Sequence, residues 1–250
     1  ETDEPLGTQR IRDMRRLLNA FSFKRSTTQI QFHEAFIQAT AQHLYSDDKT
    51  VNMQEVMERE GWSHMKQYVL TLTPRRFGKT TAVALFAAAY ALVVPSAEIS
   101  IFSTGKRAST KLLELIASIV REKNEAEKIR ITKCNGEQLY LCTAGGNVRK
   151  VHSYPSATTT LRGCGGDLIV LEEAAFMSED VFQQVVIPLL EMRTTSMIAI
   201  STPQNATNFY SHMFEMKGPD GENFFTQIKV GLACERCIKN NCPESCTHTA

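Results

Sequence analysis

The sequence has no apolar run long enough to cross a membrane and no signal-peptide pattern at its start. Its longest apolar stretch extends only from Ala82 to Val94, whereas a membrane-spanning helix needs about 18 apolar residues or more. A signal peptide would place a short basic segment before an apolar one, and the polar first residues do not fit that order. We therefore expect no association with a membrane.

The sequence also has almost no excess of charge of either sign. It contains 28 Lys and Arg against 27 Asp and Glu in 250 residues, a formal net charge of +1. Such a balance gives no sign of a nucleic-acid partner. Several positive charges are nevertheless grouped near the N-terminus, namely Arg10, Arg12, Arg15, Arg16, Lys24 and Arg25. A run of this kind either contacts a polyanion or, more often, forms the solvated face of a helix.

One stretch with a specific pattern extends from Tyr68 to Thr81. It begins as a short alternating strand, passes through a turn, and reaches Gly-Lys-Thr at 78–80 directly before an apolar helical segment. This order predicts a phosphate-binding loop, because the backbone N–H groups of the loop and the positive end of the helix face the phosphates. The usual first glycine is missing, since Thr73 occupies its position. Taken alone, the loop leaves a helix N-terminus without a ligand as the alternative.

The loop supplies the predicted contacts to a nucleotide. Lys79 is expected to reach the β- and γ-phosphates, and the Thr80 hydroxyl is expected to take one position around Mg²⁺. The predicted nucleotide-binding residues of the loop are Thr73, Pro74, Arg75, Arg76, Phe77, Gly78, Lys79, Thr80 and Thr81.

Strands and helices alternate along the rest of the chain. Apolar residues at helical spacing predict helices over 29–45, 51–60, 82–94, 106–124 and 178–190. Short strands are predicted at 68–72, 98–104, 129–132, 138–143, 148–152, 167–171 and 196–201. The alternation predicts an α/β domain with a mainly parallel central sheet flanked by helices.

The apolar strand at 167–171 ends in two adjacent carboxylates, Glu172 and Glu173. Open α/β sheets bind their ligands at this end of the strands. Neighbouring side chains leave a strand end in different directions, which suits two roles. In a P-loop ATPase the first carboxylate holds Mg²⁺ and the second orients the attacking water. The alternative is an acidic start of the following helix.

A third strand ends in the polar segment Ser201-Thr202-Pro203. Hydroxyl groups at a strand end can respond to the γ-phosphate of a bound nucleotide and pass the change on. The alternative is a turn initiated by proline.

These three segments, TPRRFGKT at 73–80, LIVLEEAAF at 168–176 and STPQN at 201–205, resemble the ATPase domain of the large terminase subunits of tailed phages and herpesviruses. The herpesvirus branch is the closer resemblance, because its loop also has Pro-Arg-Arg before a bulky residue and Gly-Lys-Thr. The resemblance covers about residues 29–230. It implies a P-loop NTPase of the ASCE type, and an ATP-hydrolysing motor that moves double-stranded DNA into a preformed capsid.

The resemblance also implies roles for single residues. Arg75 stands where large terminases have a loop arginine that contacts the γ-phosphate, with Arg76 as a weaker candidate. Glu172 occupies the position of the Walker B acid, which is usually Asp, and Glu173 that of the catalytic glutamate. The segment 201–203 resembles the motif that couples hydrolysis to DNA movement. The predicted catalytic residues are Glu173, Arg75 and Lys79, the predicted Mg²⁺ ligands are Thr80 and Glu172, and the predicted coupling residues are Ser201, Thr202 and Pro203.

Upstream of the loop, Gln31 resembles the glutamine that reads the adenine base, with Gln29 as the alternative. The cofactors implied are ATP and Mg²⁺. The partners implied are double-stranded DNA, the portal protein and the small terminase or other terminase subunits, in a ring of identical subunits. The protein would be virus-encoded and act where capsids assemble, in the host nucleus if herpesvirus-like and in the cytoplasm if phage-like.

Large terminases also contain a C-terminal nuclease, to which we assign no residue because the sequence ends before such a domain. The chain begins with Glu rather than Met, and we expect it to be a piece of a longer protein. We divide it into a basic N-terminal segment (1–28), an ATPase domain (29–230) and a Cys-rich segment (231–250).

The Cys-rich segment predicts a structural zinc site. Its candidate ligands are Cys234, Cys237, Cys242 and Cys246, with His248 as a substitute for one of them. Four thiolates at this spacing can enclose a tetrahedral Zn²⁺ ion. Disulfides, an iron–sulfur cluster and free thiols remain open, although the lack of a secretory signal disfavours disulfides.

Two other functions remain open. One is a different P-loop DNA translocase or helicase-like ATPase. The other is a nucleotide-dependent assembly adaptor without significant turnover. Glu173 argues against the adaptor, because a switch without turnover does not need the second carboxylate.

Overall fold

The computed structural model describes residues 9–75, 77–155, 166–183, 187–190, 195–204 and 208–230. The helices are α1 (Gln9–Ala20), α2 (Thr27–Leu44), α3 (Met53–Glu60), α4 (Lys79–Val93), α5 (Lys106–Arg121), α6 (Glu179–Val181), α7 (Ile187–Leu190) and α8 (Phe209–Met213). The strands are β1 (Tyr68–Leu72), β2 (Glu98–Ser103), β3 (Ile129–Cys134), β4 (Gln138–Thr143), β5 (Val148–Pro155), β6 (Leu168–Glu172), β7 (Ser196–Ser201) and β8 (Thr226–Lys229). A short 3-10 turn, Ala174–Phe176, follows β6.

The strands form one sheet in the order β3-β4-β5-β2-β6-β7-β1-β8. Neighbouring strands are parallel except at the two pairs that β4 makes with β3 and β5. The predicted mainly parallel sheet is therefore confirmed. Strand β7 lies between β1 and β6, so an additional strand separates the loop strand from the acidic strand, as the ASCE type requires.

The longer helices pack on one face of this sheet around α4. Residues Ala82 to Leu92 of α4 are all buried, because the helix lies between strands β2 and β5 and the outer helices α1, α2 and α5. A helix that is apolar on all sides is stable only in such a buried position. Since α4 begins at the end of the loop, this packing holds the loop against the sheet.

Shorter elements cover the opposite face near β1, β7 and β6. A second apolar cluster on this face includes Ile169, Phe182, Met197, Tyr210 and Phe225. The elements that carry the predicted site therefore lie between two packed layers, which restricts their movement.

The N-terminal helix α1 belongs to the domain core. Its residues Ile11, Met14 and Leu17 are fully buried, and its arginines form ion pairs with acidic residues of other elements. These pairs are Arg10 with Asp47, Arg15 with Glu34 and Glu60 at 2.7 Å each, and Arg16 with Glu127 at 2.9 Å. The pairing favours a structural role for these arginines over contact with a polyanion.

Several predicted elements agree closely with the structure, whereas one strand and one short helix were not predicted. Strand β1 has the predicted bounds, and α3 ends at Gly61 in a left-handed conformation with φ of 72°. Strand β8 and helix α8 were missed, since neither has enough residues for a periodic pattern. The predicted helix over 178–190 is present as two short helices, α6 and α7, with residues 184–186 outside the described part.

The predicted zinc ligands, Cys234, Cys237, Cys242 and Cys246 with His248, lie outside the described residues, as does the whole segment 231–250. Within the described ranges, no group of three or more His, Cys, Asp or Glu side chains is arranged to hold a metal ion. In those same ranges no helix is both long and apolar enough to cross a membrane.

Candidate active site

The phosphate-binding loop turns at Gly78. This residue has a φ of 83°, in the left-handed region that glycine adopts without strain. A Cβ atom there would also lie 2.9 Å from the side-chain nitrogen of Gln29. The backbone conformation therefore requires glycine at this turn, whereas the flexible end of the Gln29 side chain could shift to admit a Cβ atom.

Helix α2 holds the loop and the first turn of α4 in place. The Phe32 ring packs against the Phe77 ring of the loop at 5.2 Å between centroids. The Nε2 group of Gln29 lies 3.4 Å from the carbonyl oxygen of Phe77. One helical turn later, the Nε2–H of His33 donates to the carbonyl of Ala82 at 2.8 Å. Burial lowers the pKa of His33 to about 4, so this imidazole stays neutral near pH 7.

The two candidate glutamines, Gln29 and Gln31, have different environments in the structure. Gln31 is exposed, whereas Gln29 is buried against the loop. Positions two apart on a helix differ in direction by about 200° because each residue turns the helix by about 100°. The structure therefore favours Gln29 as the glutamine beside the nucleotide site.

The two carboxylates of the acidic strand have different environments, as their adjacent positions predict. Glu173 has a φ of 55°, a left-handed conformation that is unusual for a residue with a side chain. It is 35% exposed, and its Oε1 lies 3.5 Å from Nζ of Lys79, which is itself 8% exposed. A strained conformation of this kind persists where its surroundings enforce it, commonly at functional sites.

Glu172 is buried and bound by two hydroxyl groups. Its carboxylate accepts a hydrogen bond from Thr80 Oγ1 at 2.5 Å and another from Ser103 Oγ at 3.0 Å. Burial raises the pKa of Glu172 above its ordinary value, while the two hydroxyl hydrogen bonds oppose that rise. The side chain is thus fixed in one orientation beside the loop.

The polar end of strand β7 contacts the ends of both the loop strand β1 and the acidic strand β6. The hydroxyls of Ser201 and Thr202 lie 3.5 Å and 3.3 Å from Oε2 of Glu173. Ser201 Oγ also accepts from the N–H of Ala175 at 3.1 Å, and its carbonyl accepts from the N–H of Thr73 at 3.0 Å. Ser201 therefore joins the loop strand, the acidic strand and the Glu173 carboxylate. Pro203 is exposed beside them.

Four of the predicted residues, Arg75, Lys79, Glu173 and Thr202, line one cleft of about 420 Å³. Its lining residues are Arg75, Lys79, Thr104, Glu173, Phe176 and Thr202. Arg75 is exposed. Arg76 lies outside the described residues, and Thr81 is half-buried one position into α4 beyond Thr80. Another cleft of about 440 Å³ lies beside the amino end of β1, lined among others by His64, Lys66 and Asp220, and holds none of the predicted site residues.

Three residues of the site were missed by sequence reasoning. Ser103 bonds to Glu172, and Thr104 and Phe176 line the cleft. A signal was present for Ser103, since it ends strand β2 and polar residues at such ends meet at one edge of a parallel sheet. The strand neighbours had to be known before Ser103 could be placed beside Glu172.

The donor set beside the loop suits magnesium. Carboxylate and hydroxyl oxygens are the ligands that Mg²⁺ prefers, usually with phosphate oxygens and water completing its shell. The Glu172 carboxylate and the Thr80 hydroxyl lie in contact, directly beside Lys79, the side chain suited to phosphate. The residues present therefore fit a Mg–nucleotide complex.

We expect Glu172→Gln to stabilise the protein without nucleotide at pH 7, raising Tm by a few degrees. The raised pKa means that the folded protein binds this proton more tightly than the unfolded chain. The stability that the group contributes is therefore present at acidic pH and is lost as pH rises through the folded pKa. A neutral glutamine avoids that loss, so the gain should shrink as the pH falls toward the ordinary pKa of Glu. Thermal unfolding between pH 4 and 8 measures this, with the exposed Glu125→Gln as control. A lower Tm of Glu172→Gln at pH 7 would show that the hydroxyl contacts outweigh burial.

Comparison with known proteins identifies relatives of this fold. A family model described as "Terminase large subunit, T4likevirus-type, N-terminal" matches residues 70–230. No curated protein sequence matches the chain.

Solved structures share its architecture at low sequence identity. The ATPase domain of the large terminase of Thermus phage P74-26 has a TM-score of 0.60 at 16% identity, over 71% of this chain and 84% of that one. The large terminase of bacteriophage HK97 has a TM-score of 0.62 at 15% identity, over 93% of this chain and 45% of that one. A large terminase from a thermophilic bacteriophage, solved in complex with ADP, has a TM-score of 0.51 at 12% identity, over 81% of this chain and 48% of that one. The chain thus spans about half of the length of the last two.

Proposed function

Because the chain belongs to the family of T4likevirus-type large terminase subunits, the motors of viral DNA packaging, we propose that it binds ATP with Mg²⁺. Hydrolysis of this ATP would supply the energy that moves double-stranded DNA. The observation that supports this most directly is the meeting of Lys79, Glu173 and Thr202 at one cleft. The complex of a related large terminase with ADP supports the choice of nucleotide.

In the proposed mechanism Lys79 neutralises phosphate charge and Glu173 prepares the attacking water. The Nζ atom of Lys79 lies 3.5 Å from Oε1 of Glu173. A γ-phosphate would compete for Lys79, since the ammonium forms charge-assisted hydrogen bonds with phosphate oxygens. Glu173 would then be free to accept a proton from water. Arg75, exposed at the cleft, would add positive charge near the γ-phosphate.

Thr80 and Glu172 would hold Mg²⁺, and Ser103 would fix the Glu172 carboxylate. A bound Mg²⁺ ion offsets the negative charge of the phosphates. The Thr80 hydroxyl and the Glu172 carboxylate lie 2.5 Å apart, so both oxygens are close enough to contact one ion.

We propose that Ser201 and Thr202 couple ATP hydrolysis in the cleft to movement of the rest of the motor. Their hydroxyls lie near Glu173 while Ser201 accepts from the loop strand. A change in the Glu173 contacts would therefore move β7 and the segment that follows it.

We propose that Gln29, rather than Gln31, contacts the adenine base. We expect Gln29→Ala to raise the KM for ATP about tenfold, a loss typical of one or two hydrogen bonds, and to reduce the preference for ATP over GTP. Steady-state kinetics with both nucleotides measure this. Gln31→Ala is the matched control, since its side chain is exposed on the other side of α2. If Gln31→Ala alone changed the preference, the assignment would pass to Gln31.

The wider assembly remains a proposal. Portal protein, small terminase and a ring of identical subunits are the partners that a packaging motor needs, and the protein would be encoded by a virus. The herpesvirus-like branch stays a prediction, because the matching model is of the T4likevirus type and the similar structures come from phages. The zinc site at 234–246 likewise stays a prediction, which a metal assay on purified protein tests directly.

The test of the function is ATP hydrolysis with and without linear double-stranded DNA. We expect turnover that requires Mg²⁺ and that duplex DNA stimulates. Binding of ATP without turnover would favour the assembly adaptor. Separation of the strands of a forked duplex would favour a helicase-like enzyme.

A further inference from the structure

We infer that Tyr210 is a positioning residue that ties the loop strand β1 to the coupling strand β7 and thereby sets the geometry of the cleft. This inference rests on the proposed function, because its effect is read as ATP turnover. Tyr210 lies on the short helix α8, outside the cleft itself.

The hydroxyl of Tyr210 contacts main-chain atoms of both strands. It accepts a hydrogen bond from the N–H of Thr71 at 3.1 Å. Its single hydrogen is shared between the carbonyl oxygens of Thr71 and Ala199, each 3.0 Å from the hydroxyl oxygen. Thr71 belongs to β1 and Ala199 to β7, which are parallel neighbours. One side chain thus bridges the backbones of two strands.

The environment of Tyr210 keeps this bridge in place. The side chain is 1% exposed, and its ring packs edge-on against Phe214 at 5.4 Å between centroids. Burial raises the pKa of the phenol well above its ordinary value. The group therefore stays protonated and remains a donor at any working pH.

The bridge lies two residues before a second contact between the same strands. Thr73 is two residues after Thr71, and its N–H donates to the carbonyl of Ser201, which is two residues after Ala199. Thr202, which contacts Glu173, directly follows Ser201.

The Tyr210 hydroxyl therefore holds β1 and β7 at a defined spacing just before Thr73 and Ser201. The positions of the loop and of the hydroxyl groups near Glu173 depend on this spacing. Without the hydroxyl, α8 keeps its apolar packing but loses its hold on the two strands.

The test is Tyr210→Phe, which removes one oxygen atom and keeps the ring. We expect kcat for ATP to fall about tenfold, the scale of a small misplacement of catalytic groups, while KM and nucleotide affinity change less than about twofold. We also expect loss of most DNA stimulation. Independently of turnover, hydrogen exchange of the Thr71 amide should accelerate, because the amide loses its hydroxyl acceptor.

Phe225→Leu is the control, because Phe225 is buried in the same apolar cluster and has no hydroxyl. It should lower Tm at least as much as Tyr210→Phe while leaving kcat unchanged. If Tyr210→Phe kept the wild-type kcat and DNA stimulation, Tyr210 would be only structural, and the proposed function would stand. A wild-type protein that neither binds nor hydrolyses ATP would overturn both. Unchanged exchange at Thr71 would overturn the bridge itself.

Discussion

Glu173→Gln is expected to reduce ATP turnover by a factor of about 10² to 10⁴, the contribution typical of a general base, while ATP binding is retained. Glutamine keeps the size of the side chain but cannot accept a proton from water. Glu173 is the partly exposed member of the carboxylate pair and lines the cleft. Glu172, in contrast, is buried and accepts hydrogen bonds from two hydroxyls.

Binding should be equal or tighter in Glu173→Gln, because Lys79 then loses its ion pair with Glu173 and is free for phosphate. Single-turnover hydrolysis and equilibrium binding of a fluorescent ATP analogue separate the two effects. Glu173→Ala should behave in the same way. The control is Glu179→Gln, an exposed glutamate on the next helix. Normal turnover in Glu173→Gln would refute the catalytic assignment.

Lys79→Ala is expected to lose nucleotide binding as well as turnover. Hydrogen bonds to a charged group contribute about 1.5–3 kcal/mol, which corresponds to an affinity about 10- to 100-fold weaker. Lys79 is buried at the first position of α4, so its phosphate contacts are poorly screened by water. Isothermal titration with ATP measures the loss.

The chain contains a matched control for this variant at Lys106. Lys106 also follows a glycine and begins a helix after a parallel strand, in Ser-Thr-Gly-Lys at 103–106. Its side chain is 74% exposed and pairs with Glu137 at 3.3 Å. Lys106→Ala should therefore leave ATP binding unchanged. If both variants lost binding equally, the loss could not be assigned to the loop at 73–80.

The comparison of these two lysines shows what a short motif can and cannot predict. Gly105 has an extended backbone with a φ of −162°, whereas Gly78 has a left-handed one. Both sequences place Gly-Lys at a helix start, and only the loop at 73–80 also has two carboxylates opposite it. The ordered set of three segments, rather than Gly-Lys-Thr alone, made the prediction specific.

Some site residues could not be placed before the strand order was known. The hydroxyls of Ser103 and Ser201 reach the two carboxylates because β2 and β7 are the neighbours of β6. Gln29 reaches the loop because α2 packs across α4, and helical periodicity gave no preference between Gln29 and Gln31. The sequence could not show that the N-terminal arginines form ion pairs, since their acidic partners at 34, 47, 60 and 127 are distant in sequence.

The sequence by itself determined the alternation of strands and helices, the loop that ends in Gly-Lys-Thr and the two carboxylates at a strand end. These features follow from local periodicity and from residue types that few other arrangements require. Only the tertiary structure decided that β7 lies between β1 and β6, and that Tyr210 bridges two of these strands. The reason is physical, since strand order and side-chain bridges depend on packing between residues far apart in the chain, for which local patterns contain no information.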